Sequence, residues 1–160
     1  MSEFRKMRRF KQELSRERCL EILQSAPRGV LALHGENGFP YAIPLNQYYD
    51  PEDGKLYFHG AKEGLKADLL KQNNKACFTV MDEGFVKEGE WALNICSVVC
   101  LGRIETVTDH GIVLEQCRKL AGKFYPTEEA IEKEIARDGN RVNLLAMTIE
   151  RMTGKIVKES

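Results

Sequence analysis

The 160-residue sequence predicts a mainly β fold with flanking helices, an antiparallel barrel or sandwich. Three observations predict it. Short apolar runs lie at 30–34, 41–49, 55–59 and 76–81. Turn-forming residues separate them, with Asn37-Gly38 marking a tight hairpin and Asp50-Pro51-Glu52-Asp53-Gly54 a second turn. Helical apolar spacing is confined to the N-terminal part, one short mid-chain stretch and the region after Thr108.

In chain order, residues 1–13 are charged, with Phe4, Met7 and Phe10 spaced by three. This is a helical stripe or an arm that packs on something else. Ser15 can cap a helix, with Leu14 stapled against Cys19 and with Leu20 and Leu23 on its buried face. Ala26-Pro27 ends it. A strand over 30–34 turns at Asn37-Gly38 into a partner over 41–49. Pro44 cannot donate to a ladder, so it belongs at an edge, a bulge or a backbone-exposed site.

After the strand at 55–59, Leu65, Leu69 and Leu70 give a short helix its buried face, and Asn73-Asn74 stops it. Residues 76–81 form a strand and 82–89 a loop. Residues 91–107 form one or two strands, with Gly102 as a bend or bulge. Trp91 reads as a core residue, or as a platform for a flat ring. Val113, Cys117, Leu120 and Phe124 make an amphipathic stripe that Tyr125-Pro126 breaks. Thr127 caps a further helix, with Glu128 and Glu129 in its first turn and Ile131 and Ile135 on its buried side. Asp138-Gly139-Asn140 ends it. A strand over 142–149 is expected to pair with 152–157.

The length suits one domain over 1–160, with an N-terminal arm and helix over 1–26 and a helical insertion at about 109–138. Twenty-four basic side chains balance 24 acidic ones, so no global field gathers nucleic acid. The basic N-terminus is flanked by Glu3 and Glu13 and precedes no long apolar run, unlike a signal peptide. No apolar stretch approaches the roughly 20 residues of a membrane helix. Five cysteines without Cys-x-x-Cys spacing read as reduced thiols of a cytoplasmic protein, with no metal site.

Residues 58–71 carry the strongest candidate chemistry. Phe58-His59 ends a strand, and a turn from Gly60 to Gly64 leads into the short helix. Lys62 and Lys66 are four apart, which on one helix places both ammonium groups near its N-terminus. That arrangement suits a phosphate or another dianion, with a solvated lysine face as the plain alternative. The spacing is not that of a P-loop. His59 is a candidate ligand contact or a strand-end histidine bonded to a carbonyl. Ser97, polar in an apolar strand, faces a phosphate or satisfies itself locally. His34 and His110 read as surface residues.

Several stretches together resemble the flavin-nucleotide-binding split-barrel family of pyridoxamine 5′-phosphate oxidase, and within it the nitroimidazole reductase branch. They are Met7-Arg8-Arg9, Gly29-Val30-Leu31-Ala32, residues 37–45, residues 56–66 and residues 97–104. The string Tyr57-Phe58-His59-Gly60-Ala61 with Gly64 and Lys66 is the most specific part. The resemblance implies a six-stranded antiparallel Greek-key split barrel and a homodimer with FMN at the subunit interface. It implies that the backbone of Ala42, Ile43, Pro44, Leu45 and Asn46 lines the flavin ring. Phe58 and His59 would border the ring or ribityl chain. Lys62 and Lys66 would hold the phosphate, and Ser97 would reach the cofactor.

The implied function is an FMN-dependent oxidoreductase acting on a small molecule, a nitroaromatic if the branch resemblance extends to activity. A reduced nicotinamide is the implied electron donor, and His59 the candidate catalytic residue. The alternative is a non-catalytic flavin- or haem-binding protein. Residues 142–160 lack a counterpart of the basic residues with which the oxidase proper recognises its B6 substrate. Residues 91–96 depart from the family pattern as well.

Overall fold

A computed structural model describes residues 4–138 and 142–159. Helix α1 (Arg16–Ser25) is followed by β1 (Gly29–His34), β2 (Pro40–Leu45), β3 (Tyr48–Asp50) and β4 (Lys55–Gly60). Then come α2 (Leu65–Gln72), β5 (Lys75–Met81), β6 (Phe85–Val86) and β7 (Leu93–Thr106). Helices α3 (His110–Gly122) and α4 (Glu128–Asp138) precede β8 (Asn143–Glu159). The expected helix stop at Asp138-Gly139-Asn140 falls partly outside the described residues.

All pairings are antiparallel, in the order β2-β1-β5-β7-β8-β4-β3, with β6 on the start of β7. β1 lies beside β5 and β4 beside β8, the crossing connections of a Greek key. The two end strands, β2 and β3, are joined by only Asn46 and Gln47. The sheet must therefore curl until its ends meet, yet no ladder links β2 to β3. The result is a barrel with a split.

Among the described residues the sheet has eight strands where six were expected. One extra strand arises because 41–49 breaks in two. Gln47 leaves the ladder and is fully buried, its Nε2 donating to the Leu23 and Ala26 carbonyls at 3.1 and 2.8 Å. The other is the two-residue β6. A second correction concerns the C-terminal end. Residues 142–149 and 152–157 do not pair with each other but form the continuous strand β8 along β7. The expected bulge at Gly102 is present as a register shift between Leu101 and Gly102. A Cβ at Gly102 would lie 2.0 Å from the Thr148 carbonyl, so the close strand crossing requires glycine.

Alternation along β1, β5 and β7 sends Leu31, Phe78, Val80, Val98 and Cys100 inward to the core. Helix α1 plugs the barrel with Cys19, Ile22 and Leu23. Ser15 caps it as expected, accepting from the Arg18 N–H. Asp109 caps α3 and Thr127 caps α4. The N-terminal segment from Phe4 is an arm with one 3-10 turn at Phe10–Gln12, and Phe4 lies under the Arg151 guanidinium at 5.5 Å. Trp91, read from sequence first as core, is 79% exposed. Its loop holds it outside the β7 ladder, which begins at Leu93.

Candidate functional site

The split opens where β2 parts from β4. β2 pairs only with β1, so its other edge carries no ladder, and Pro44 sits on this edge strand. Ala42 and Pro44 face outward; Ile43 and Leu45 pack against the core. Continuing the β3–β4 register back by two residues sets Asn46 opposite His59. Both line one cavity of about 140 Å³, roofed by Cys117, Phe124 and Tyr125 and walled by Glu134.

His59 is exposed, and its side chain makes no hydrogen bond with a described residue. Partial desolvation and the nearby Lys66 charge push its pKa below the ordinary value, against a weaker pull from Glu134. Its imidazole is therefore neutral at pH 7. Phe58 is fully buried, its ring edge-on to Phe78 at 5.0 Å. Only its backbone faces the split.

Helix α2 begins at Leu65, after a positive-φ Gly64, so Lys62 lies in the loop before it. The two lysines therefore do not share a helix face, which corrects the expectation from their spacing. They point to different places. The Lys66 ammonium lies against Gly60, where a Cβ would stand 2.6 Å from its Nζ. It is half-buried, forms no ion pair with a described residue, and desolvation lowers its pKa. Lys62 instead lines a separate groove with Lys71, Lys75 and Arg103.

Ser97 is on the outer face of β7, about 20 Å along the strand from Arg103. It opens onto a hollow with Arg5, Lys6, Arg8, Arg151 and Lys155. One chain thus gathers Asn46, His59 and Lys66 and leaves Ser97 elsewhere.

Sequence reasoning missed the cover on this site. Glu134, Cys117 and Phe124 come from the helical insertion, and no local pattern linked them to His59. It also missed Lys123, whose Nζ donates to the Ala26 and Gln47 carbonyls at 2.6 and 2.8 Å, tying α3 to the strand junction. Burial pushes its pKa down to about 8. A lysine beside the apolar positions Leu120 and Phe124 was the available signal. Asp50 was read only as a turn residue. Burial opposes its charge, but Gln116, the Glu52 N–H and Lys119 hold its carboxyl below the ordinary value.

Among the described residues, no group of three His, Cys, Asp or Glu side chains could hold a metal. No helix among them is long and apolar enough to cross a membrane.

The model of the family described as pyridoxamine 5′-phosphate oxidase matches residues 15–156. No curated protein matches significantly. Among solved structures, a candidate 5-nitroimidazole antibiotic resistance protein from Bacteroides thetaiotaomicron has a TM-score of 0.76 and 20% identity, covering 92% of this chain and 87% of that one. A FAD-binding protein from Mesorhizobium loti has a TM-score of 0.68 and 23% identity, covering 91% and 97%. A FAD and haem binding protein from Mycobacterium smegmatis has a TM-score of 0.72 and 23% identity, covering 91% and 73%. At these identities the likeness is one of fold.

Proposed function

The chain belongs to the pyridoxamine 5′-phosphate oxidase family, and from that membership we propose that it is an FMN-dependent oxidoreductase that reduces a small nitroaromatic compound. The carrying observation is the Lys66 ammonium. It is half-buried and unpaired among the described residues, and it lies over a glycine that leaves room for it. A desolvated cation without a counter-charge is costly unless an anion completes it.

The residues present fit a phosphorylated flavin. Lys66 would hold the phosphate. The unpaired edge at 42–46 would offer carbonyls and N–H groups to the ring. When bound, the flavin supplies the two-electron chemistry. This chain's part is to position and to screen. Neutral His59 offers one donor and one acceptor beside the ring's place. The α3 and α4 residues beside it would screen one side of the site from water.

A homodimer is part of this reading. Val30 (42% exposed) and Met81 (65% exposed) lie on the outer sheet face that also carries Ser97. A second copy packed there would cover them and bring Ser97 to an interface. The family membership and the FAD-binding proteins of the same fold support the flavin reading.

The test is a redox cycle. FMN-loaded protein should bleach with NADPH and regain its colour with a 5-nitroimidazole. Protein that takes up no FMN, or stays oxidised with every nicotinamide donor, contradicts the proposal. Haem is the second reading, favoured by the neutral, unbonded His59 imidazole, which suits an axial ligand. A Soret band lost in His59→Ala would mark it.

A further inference from the structure

Behind the glycine turn, α2, β5, β7 and β8 border a groove of about 650 Å³. That volume is typical of small-molecule sites. Beneath it lie the core residues Ile104 and Leu145, and Leu70 is part-exposed at its side. Its rim carries four cations, Lys62, Lys71, Lys75 and Arg103, against one carboxylate, Glu105. Arg103 is paired with Glu150 at 3.3 Å, outside the groove lining. Lys71 and Lys75 form no ion pair with a described residue. Asn73, Asn74 and Asn143 also line the groove, the Asn73 Oδ1 accepting from the Lys75 N–H at 3.1 Å.

Each component matches part of one ligand class. Flexible ammonium groups suit phosphate oxygens. Carboxamides offer paired donors and acceptors to a purine edge, and the part-exposed Leu70 offers its face an apolar contact. A solvated lysine face alone would need neither the concavity nor the amides. The groove also shares Lys62 with the turn next to the Lys66 site. We propose that it binds a nucleoside diphosphate group, the distal half of a dinucleotide.

Two sources carry that group: FAD in place of FMN, or the nicotinamide dinucleotide that serves as reductant. Only the choice of source rests on the flavin reading. The test uses the full chain and Lys71→Glu/Lys75→Glu, both at exposed positions, with circular dichroism to check that the variant keeps its fold. ADP is titrated first. The wild type should bind it, and the double variant at least tenfold more weakly.

FMN, FAD and NADPH follow. If FAD binds the wild type more tightly than FMN and the gap closes in the variant, FAD is the source. If the two flavins bind alike and only NADPH weakens, the nicotinamide is the source. ADP binding without binding of either flavin upholds the groove and removes the flavin reading. ADP that does not bind, or binds both proteins equally, overturns the proposal even if FMN binds.

Discussion

Gly60 is the residue on which the Lys66 position turns. An added methyl would meet the far end of a flexible side chain, which can swing aside. Gly60→Ala should therefore melt within a few degrees of the wild type but bind FMN about tenfold more weakly, since a charge-assisted contact is worth ~1.5–3 kcal/mol. Parallel melting and fluorescence titration would show it. His59 gives the matching electrostatic prediction. Lys66→Met removes the neighbouring positive charge, so the His59 pKa, followed by NMR, should move up toward the ordinary value. The sign for stability follows. Below pH 6.5 the unfolded chain takes up its proton before the folded one does. Stability from this group is therefore lost as pH falls from there through the depressed folded pKa.

At the scale of elements, Lys123 joins α3 to the junction of β2 and β3. Its folded pKa lies below that of a free lysine. Between about 8 and the ordinary lysine value the unfolded chain holds more protons, so stability from this group rises with pH. Urea melts of wild type against Lys123→Met should show the wild type gaining relative stability from pH 7.5 to 10. A constant difference would mean that the two carbonyl contacts keep the amine charged throughout. Gly102→Ala is the harsher change, because the Thr148 carbonyl is backbone and cannot move aside. It should cost at least about 1–3 kcal/mol in the same melts.

For the whole molecule, the proposed homodimer predicts that Met81→Lys shifts the mass toward the monomer in light scattering while the fold persists. FMN affinity should fall with it if the cofactor lies between two copies. The mainly β class, its hairpin turns and its helix caps were legible in the sequence because they rest on local chemistry. Ser15, Asn37 and Thr127 act within four residues of themselves. The run at 41–49 looked continuous because the break at Gln47 depends on carbonyls of α1, more than 20 residues away. The site was half legible. His59 was named from its place at a strand end and Asn46 from resemblance, and both line one cavity, whereas the paired-lysine argument failed because Gly64 delays the helix start. Glu134 and Cys117 reach the cavity only through tertiary packing.

The most direct test compares FMN with riboflavin, which differ only in the phosphate. Wild-type protein should prefer FMN by at least about a hundredfold. In Lys66→Ala that preference should shrink by more than tenfold, with riboflavin affinity unchanged. An undiminished preference for FMN in the variant would contradict the account, because some other group would then be holding the phosphate.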